Sequence, residues 1–412
     1  MQFKQATMIQ TFDIILISGG AAGFFTAINI AEQNSNLKIA ILERGREVLS
    51  KVKISGGGRC NVTHACFVPN DLVKFYPRGE KELKGPFNQF CSGDTIAWFE
   101  KHNVTLKIEE DGRMFPETDN SQTIIDCFLN LTKKHNITVL TSQTVQAIFK
   151  SETGWKLDTQ NQNYKAEKIV FTTGSNPKIW ELLQNYKHNV IEPVPSLFTF
   201  NIKNKKLTEL MGIAHPAEVA IKNTKLKAQG PLLITHWGVS GPAILRLSAW
   251  GARDLAQLNY NFTLQVNWMA EHEMQYIEEQ LKEAKIENAK KNIYKNNLFN
   301  FPTRLWHYFL NKSEITSDAK WADVSKKQLQ TLLQTITNDS YQVNGKSTFK
   351  DEFVTAGGID LKEINFKTME SKVLPHVYFA GEVLNIDAIT GGFNFQNAWT
   401  TGYIAATHIA NN

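Results

Sequence analysis

Apolar residues near the start of the chain follow the order strand, turn, helix, strand. Phe12 to Ile17 form a continuous apolar run, which is typical of a buried parallel strand. Ala21 to Glu32 place apolar residues at helical spacing, and Lys38 to Leu42 form a second short run. With glycines between the first strand and the helix, this order predicts the opening unit of a nucleotide-binding α/β fold.

Two later apolar runs end in small residues. Ile169 to Phe171 and Val377 to Phe379 each predict a buried strand. Parallel α/β sheets bind ligands beyond the carboxyl ends of their strands. We therefore expect the residues that follow these runs to lie at the ligand edge of one sheet, namely Thr173, Gly174, Gly381 and Glu382.

The last apolar pattern is a helix that begins after a pair of glycines. From Phe393 onward, small or apolar residues such as Ala398 and Gly402 recur at helical spacing. Gly391 and Gly392 lie at or just before the amino end of this helix. Backbone N–H groups are free at such an end and the helix dipole is positive there, so the glycines allow a flat ligand to lie against them.

Between these segments the pattern changes to short alternating runs and then to helices. From Pro193, the runs SLFTFNIKN, AEVAIKN, GPLLITHWG and NFTLQVNW are typical of an antiparallel barrel or sandwich. Asn344-Gly345 predicts a hairpin turn. Helical spacing predicts helices over Glu271 to Lys295, Pro302 to Leu310 and Lys326 to Ile336.

The turn after the first strand matches a dinucleotide fingerprint at all but one position. The pattern GxGxxG is here SGGAAG, with Ser18 in place of the first glycine. Glycines let a pyrophosphate approach the helix, and Glu43 at the end of the second strand is placed to accept hydrogen bonds from an adenosine ribose. A carboxylate there favours an unphosphorylated ribose, as in FAD or NAD, and leaves those two open. The candidate binding residues are Ser18, Gly19, Gly20, Ala22, Gly23, Glu43 and Arg44.

A second glycine-rich segment, ISGGGRCNVT, follows the second strand. Three successive glycines cost backbone entropy and pack no side chain, so they are typical of backbone that runs against a ligand. The alternative is a flexible surface loop, but the position of the segment in a nucleotide fold favours the ligand. Cys60 is expected to be a packed thiol rather than a redox relay. The candidates here are Ser55, Gly56, Gly57, Gly58, Arg59, Cys60 and Asn61.

These segments together favour a flavin. If both ends of the chain build one sheet, N–H groups at the last glycine pair would point at the N1 and C2-oxygen edge of an isoalloxazine ring. That edge gains negative charge on two-electron reduction, so fixed donors and a helix dipole would stabilise the reduced ring. The residues expected to do so are Gly391, Gly392, Phe393 and Asn394.

The chain resembles the BaiN/RdsA-type (YhiN-like) family of NAD(P)/FAD-dependent oxidoreductases. The resemblance rests on five blocks in order: SGGAAG, ISGGGRCNVT, THWGVSGPAILRLS, VTAGGIDLKEI and FAGEVLNIDAITGGFNFQNAWTTGY. It implies FAD in a glutathione-reductase-like α/β Rossmann fold, interrupted by an inserted β-barrel and helical subdomain. Ser18 departs from the family's usual glycine, and Asn385 departs from its usual aspartate.

The resemblance also implies domain boundaries. The expected FAD-binding domain has two parts, residues 1–192 and 355–412. The expected insert contains a barrel-like subdomain at 193–268, a helical subdomain at 269–338, and return strands of the barrel at 339–354.

No general base stands out in the sequence. The resemblance implies that the loop with His236 faces the flavin cleft, which makes His236 a candidate for proton transfer. The surrounding residues, GVSGP, do not form the Gly-x-Ser-x-Gly of a nucleophile elbow, and an ordinary turn closed by Pro242 is the alternative. Arg113 is expected to pair with a nearby carboxylate rather than to hold an anionic substrate.

Composition and charge limit the partners. The 45 basic and 40 acidic residues give a net charge of +5 and are spread along the chain, which does not predict a nucleic-acid partner. The lysine-rich segment Lys282 to Asn297 contains interleaved glutamates and predicts a solvated helix face. The four cysteines form no CxxC pair, so we expect neither a metal site nor a disulfide framework. This cysteine usage fits a reducing compartment, so we expect a cytoplasmic protein. No apolar run is long enough to span a membrane.

The predicted function is that of a flavin-dependent oxidoreductase. It would move a hydride between a small organic substrate and flavin N5. NAD(P)H is the expected reductant, and because the chain has one dinucleotide fingerprint, it would dock transiently at the flavin. Two alternatives stay open: an amine oxidase that uses O₂, and a non-catalytic or nucleic-acid-associated flavoprotein.

Overall fold

The computed structural model describes residues 9–347 and 354–412. These residues form two compact units. The first contains the described residues of 9–194 and 354–412, and the second contains those of 195–347. No helix within the described residues is both long and apolar enough to cross a lipid bilayer. The predicted subdomain boundaries inside the second unit stay predictions.

Residues 9–196 contain ten strands, seven α-helices and one 3₁₀-helix (Val73–Phe75). The strands are β1 (Gln10–Ile17), β2 (Ile39–Leu42), β3 (Thr63–His64), β4 (Leu106–Ile108), β5 (Arg113–Pro116), β6 (Thr138–Leu140), β7 (Val145–Ser151), β8 (Gly154–Thr159), β9 (Asn163–Phe171) and β10 (Val190–Ser196). The helices are α1 (Ala21–Gln33), α2 (Ser50–Gly58), α3 (Pro69–Leu72), α4 (Lys84–Phe87), α5 (Ser92–Lys101), α6 (Gln122–Lys134) and α7 (Pro177–Asn185).

The remaining elements divide between the second unit and the return to the first. Residues 197–347 form β11 (Thr199–Asn201), α8 (Lys205–Thr208), β12 (Ala214–Ile221), β13 (Lys227–Thr235), β14 (Gly238–Ser240), α9 (Pro242–Trp250), α10 (Ala252–Gln257), β15 (Asn261–Asn267), α11 (Met274–Glu287), α12 (Thr303–Lys312), α13 (Lys326–Thr337), β16 (Asp339–Asn344) and β17 (Lys346–Ser347). Residues 354–412 form β18 (Val354–Ile359), β19 (Ile364–Asn365), β20 (Glu370–Ser371), β21 (Val377–Phe379) and α14 (Phe393–Asn411).

A parallel sheet forms the centre of the first unit. Its strands lie in the order β19, β20, β21, β9, β1, β2, β6, and the five strands from β21 to β6 are parallel. β7 and β8 extend β9 as an antiparallel meander. The predicted strands at Phe12 to Ile17, Ile169 to Phe171 and Val377 to Phe379 are neighbours, with Ile17 opposite Phe171 and Phe171 opposite Phe379. The two ends of the chain therefore build one sheet, as the sequence predicts.

Helices α1 and α14 pack against each other in the same direction. A Cβ at Gly402 would lie 2.6 Å from Thr26 Oγ1, so only glycine permits this approach. At the other end of the pair, Asn34 Nδ2 donates to the carbonyl of Ala410 at 3.2 Å. The amino ends of both helices therefore point to the same side of the unit.

The second unit is built around a seven-stranded antiparallel sheet. Its strand order is β16, β15, β12, β13, β14, β11, β17. Apolar faces of α9, α11, α12 and α13 contribute to one core with this sheet, which buries the side chains of Trp268, Trp306 and Trp321.

The predicted helix over Glu271 to Lys295 is wrong in length. Helix α11 ends at Glu287, and Asn288 leaves helical geometry. The chain then folds back, and a short 3₁₀-helix at Ile293–Lys295 buries Ile293, whose carbonyl accepts a hydrogen bond from Trp306 Nε1 at 3.0 Å. Burial of Ile293 against α12 thus overrides the helical periodicity of the lysine-rich segment.

The predicted hairpin turn at Asn344-Gly345 is also wrong. β16 pairs with β15, whereas β17 pairs with β11. Gly345 has φ 99° and donates its N–H to the carbonyl of Tyr260. Glycine here allows a corner between two different strand pairings instead of a hairpin.

Candidate functional site

The amino-terminal glycine turn joins β1 to α1 in the predicted place. The N–H groups of residues 20–23 have no hydrogen-bond partner among the described residues. A Cβ at Gly23 would overlap the carbonyl oxygen of Ser18 and lie 3.0 Å from Thr172 Oγ1, so glycine is required for helix and strand to approach. A Cβ at Gly20 has only Ser18 Oγ nearby, at 4.0 Å, which leaves room for a ligand beside the turn.

Ser18 and Glu43 are linked, which explains the departure from the fingerprint. Ser18 has φ 100°, in a region that favours glycine, and its Oγ donates to Glu43 Oε2 at 3.3 Å. Glu43 Oε2 also accepts from Gly19 N at 2.8 Å, and Oε1 accepts from Gly45 N at 2.7 Å. The carboxylate is thereby fixed at the end of β2, where a ribose is expected. Arg44 is exposed beside it.

The segment of three glycines adopts left-handed backbone conformations. Gly56, Gly57 and Gly58 have φ values of 57°, 68° and 87°, so the helical geometry of α2 ends before them. A Cβ at Gly57 or Gly58 would meet no atom within 4 Å, whereas one at Gly56 would lie 2.9 Å from the ring of Phe115. The backbone at Gly57 and Gly58 is therefore open to a ligand, whereas Gly56 packs closely against Phe115. Ser55, before it, donates its Oγ to the carbonyl of Val52 at 2.9 Å.

The side chains of Arg59 and Cys60 are in contact with other side chains of the protein. The Arg59 guanidinium lies 3.9 Å from the centroid of the Phe115 ring and donates to Glu109 at 2.6 Å. Cys60 is fully buried, and burial raises the pKa of its thiol to about 12. The prediction of a packed thiol is confirmed, while binding of a cofactor by Arg59 and Cys60 stays a prediction.

The Asn61 side chain joins the glycine segment to the carboxy-terminal glycines. Its amide satisfies its neighbours when Oδ1 accepts from Gly392 N at 3.0 Å and Nδ2 donates to the carbonyls of Thr63 and Met114. The N–H of Gly392 is therefore occupied by protein, which differs from the sequence prediction. Free N–H groups are found one position further on, since the backbone N–H groups of residues 393–395 donate to no group among the described residues. The sequence does not predict the free N–H of Phe395, because a backbone donor does not depend on the type of side chain.

The segment before α14 is held by polar contacts. The side chain of Asn394 both accepts from the N–H of Ala388 (3.0 Å) and donates to its carbonyl (3.2 Å). Asp387 is fully buried and pairs with Arg78. The side chain of Asn394 is thus engaged by protein, and its backbone N–H is free for a ligand together with those of Phe393 and Phe395. The fixed segment also holds the start of the helix in place.

Three aromatic side chains that sequence reasoning missed surround Phe393. Phe75 stacks on it with ring centroids 4.4 Å apart, and His64 packs against it at 4.5 Å. His64 Nδ1 lies 3.1 Å from the carbonyl of Gly391, so Nδ1 carries the proton in this contact, and burial lowers the pKa of the ring. Tyr76 donates its hydroxyl to the carbonyl of Phe393 at 2.6 Å. These residues lie in short elements without periodicity, which explains why no pattern revealed them.

The carboxyl ends of β9 and β21 lie side by side. The nearest atom to a Cβ at Gly174 is Glu382 Oε2, at 3.6 Å, and that carboxylate accepts from Lys51 Nζ at 3.0 Å. Gly381 lies against α1, since a Cβ there would be 3.1 Å from that of Ala22. Thr173 Oγ1 is buried and has no hydrogen-bond partner among the described residues. A buried hydroxyl without a partner at this edge fits a polar ligand that supplies one.

The two helix starts are offset along a common direction. Gly381 packs against both Ala22 and Ala398, so these two residues lie at the same level of the helix pair. Ala398 is the fifth residue after Phe393, and a helix rises 1.5 Å per residue, so α14 begins about 8 Å beyond that level. Two sets of free N–H groups therefore lie on the same side of the first unit, offset along the helix axes, and each can bind an anionic or electron-rich group.

A family model described as "HI0933-like protein Rossmann domain" matches residues 12–408. The chain belongs to this HI0933-like family. The ribosomal RNA dihydrouridine synthase of Escherichia coli (strain K12) is 29% identical over 415 residues, which cover 97% of this chain and 98% of the relative. The 3-dehydro-bile acid delta(4,6)-reductase of Clostridium scindens is 23% identical over 403 residues, with 95% and 97% covered.

Solved structures show the same fold. The crystal structure of 3-ketosteroid-delta4-(5alpha)-dehydrogenase from Rhodococcus jostii RHA1 superposes with a TM-score of 0.53 at 11% identity, covering 100% of this chain and 99% of the other. The family resemblance and the Rossmann-type FAD-binding fold are thereby confirmed. The HI0933-like chain is a flavin-dependent oxidoreductase, as the sequence predicts.

Two further candidates of the sequence are His236, in the second unit, and Arg113, in the first unit. His236 is exposed in the two-residue turn between β13 and β14 of the second unit, with its ring 4.3 Å from that of Trp237. Its role in proton transfer stays a prediction. Arg113 donates to Asp111 at 2.7 Å and to Glu109 at 3.1 Å, so the predicted ion pair is confirmed.

Proposed function

We propose that the protein is an FAD-dependent reductase of a carbon–carbon double bond conjugated to a carbonyl group, with NAD(P)H as reductant. The single observation that carries the proposal is the pair of offset, parallel helix starts with free N–H groups. In this proposal the first set would bind the pyrophosphate, as in other Rossmann folds, and the second set would contact the flavin ring.

The chain's own groups suit that cofactor. FAD would supply hydride transfer when bound. Glu43 would hold the adenosine ribose through the lone pairs that its backbone donors leave free, and Thr173 would gain the partner that its hydroxyl lacks. The N–H groups of residues 393–395 would stabilise negative charge on the reduced ring, and the dipole of α14 adds to this effect.

The names of the relatives support the substrate class. Uridine and a 3-dehydro-bile acid with a delta(4) bond both contain a carbon–carbon double bond conjugated to a carbonyl. The higher identity of the ribosomal RNA dihydrouridine synthase, 29% against 23%, favours uridine in ribosomal RNA as the substrate. The earlier expectation of no nucleic-acid partner is untested, and the proposal departs from it.

The first test is the cofactor and its reductant. We expect the purified protein to bind FAD without a covalent bond, and NADH or NADPH to bleach the flavin absorbance in anaerobic stopped-flow mixing. Bleaching by neither nucleotide would contradict the assigned reductant. A purified protein that takes up no FAD would contradict the whole proposal.

The second test separates the substrates. The reduced protein is mixed anaerobically with unmodified ribosomal RNA made by transcription, and nucleosides are analysed by mass spectrometry for a gain of two hydrogen atoms in uridine. A 3-oxo-4-ene steroid is offered in a parallel reaction. We expect reoxidation of the flavin by RNA; reoxidation by the steroid alone would favour a small-molecule reductase. Peroxide formed in proportion to an oxidised amine would instead identify the amine oxidase.

A further inference from the structure

The net positive charge of the protein is concentrated in the second unit. Residues 195–347 contain 19 lysines and arginines and 13 aspartates and glutamates, whereas the rest of the chain contains 26 and 27. The second unit thus accounts for the positive balance, which corrects the expectation that the charges are spread along the chain. A one-sided basic balance is the electrostatic signature of a polyanion partner.

Within this unit, a basic turn lies beside an exposed tryptophan. Lys222 and Lys225 are exposed in the turn between β12 and β13, and neither forms an ion pair with a described residue. A Cβ at Gly251 would lie 2.8 Å from Leu226 Cδ1, so this turn packs against the carboxyl end of α9. Trp250, the last residue of α9, is 42% exposed.

The same helix adds a further cation. Arg246 is exposed, precedes Trp250 by four residues and therefore lies on the same face of α9. Its guanidinium donates to the carbonyl of Gln229 in β13 at 3.3 Å, which holds it near the basic turn. Lys222, Lys225, Arg246 and Trp250 are called the Trp250 surface below.

Acidic groups near this surface are few. Glu218 lies 3.7 Å from Lys227, so this pair cancels its own charge. Asp254 is exposed in the following helix and lowers the local balance by one charge. Among these exposed side chains, three cations (Lys222, Lys225 and Arg246) are therefore balanced by one carboxylate, that of Asp254. The lysine-rich segment Lys282 to Asn297 differs, because its lysines alternate with glutamates such as Glu283 and Glu287.

We propose that the Trp250 surface binds single-stranded or loop RNA. Lysine and arginine would contact phosphates, and the exposed indole would stack on an unpaired base, which is how proteins hold single-stranded nucleic acid. A purely acidic protein partner would need the cations but not an exposed aromatic ring between them. The inference rests on the proposed function, since it names the surface that captures the RNA substrate.

Binding of a fluorescein-labelled oligouridine by the full-length holoprotein tests the proposal. Fluorescence anisotropy is measured between low and physiological salt. We expect the W250A variant to bind about tenfold more weakly, because stacking on one base is lost. We expect the K222A/K225A variant to reduce the slope of log K against log salt by about 1.4, because two single-strand phosphate contacts are lost.

Matched variants on the same unit serve as controls. Tyr276 is 44% exposed on α11, and Lys326 and Lys327 are exposed at the start of α13. Y276A and K326A/K327A repeat the chemical changes elsewhere, and we expect both to bind like the unmodified protein. Equal binding by all four variants, or a weakening equally large in the controls, would overturn the proposal.

The two proposals fail in distinguishable ways. All variants should retain the FAD content and the rate of flavin bleaching by NAD(P)H, because the substitutions lie outside the glycine turns. Normal oligouridine binding without dihydrouridine formation would remove RNA as the substrate but leave the surface intact. Dihydrouridine formation by W250A at unmodified efficiency would contradict the surface and support the function.

Discussion

Replacing Glu43 by glutamine tests whether this carboxylate supports the fold as well as the cofactor. Each of its oxygens accepts one backbone N–H, from Gly19 and from Gly45. Whichever way the amide of E43Q is turned, its NH₂ group faces one of these donors, so one N–H loses its partner. Hydrogen bonds to a charged group contribute about 1.5–3 kcal/mol, and we expect the flavin-free variant to lose local stability of that size.

Hydrogen exchange measured by mass spectrometry on flavin-free protein reports this loss. In peptides that cover residues 18–46, we expect exchange of E43Q to be about 10- to 100-fold faster, which corresponds to the expected free energy. The matched control is E47Q, because Glu47 is exposed and its side chain bonds to no described residue. Unchanged exchange in E43Q, together with weaker FAD binding, would refute the structural role and leave Glu43 as a ligand contact only.

Three further predictions concern packing, reactivity and pH. G23A should fail to fold or to retain FAD, since its methyl group overlaps a backbone oxygen, whereas G20A should fold normally and bind FAD more weakly; thermal melting and flavin absorbance measure both. Iodoacetamide at pH 8 should label half-exposed Cys66 before Cys60, whose pKa burial raises to about 12, as peptide mass spectrometry would show. Burial lowers the pKa of His188, so the unfolded chain binds a proton at a higher pH than the folded chain does. The free energy of unfolding should therefore decrease as the pH falls below about 6.5, and it should decrease less in H188Q. Urea titrations at several pH values measure both.

Much of the first unit could be predicted because its signals are local. β1, α1 and β2 follow from apolar periodicity, and the strand at Val377–Phe379 has the predicted bounds. Glycines indicate positions where the backbone approaches a neighbouring group closely, and Gly23 does so against the carbonyl oxygen of Ser18, which follows β1. Local sequence patterns were therefore sufficient to predict which segments form the candidate site.

What could not be predicted depends on contacts between distant residues. The side chain of Asn61 accepts a hydrogen bond from the N–H of Gly392, which is more than 300 positions later in the sequence. The free N–H groups are therefore those of residues 393–395 rather than that of Gly392. No pattern within one segment encodes such a pairing. The predicted end of the helix at Lys295 is wrong for the same reason. Burial of Ile293 against Trp306 outweighs the local helical preference, so the helix ends at Glu287. Ser18 shows the opposite case, in which a departure from a motif is explained by one tertiary hydrogen bond.

The close packing of α1 and α14 has a consequence for biosynthesis. Thr26 is made long before Gly402, its partner in the helix pair. At about 5–20 residues per second, the ribosome needs roughly 20 to 75 seconds to add the intervening residues. During that interval the apolar face of α1 lacks its native cover in the nascent chain. The proposed FAD site would therefore be complete only after α14 has left the exit tunnel.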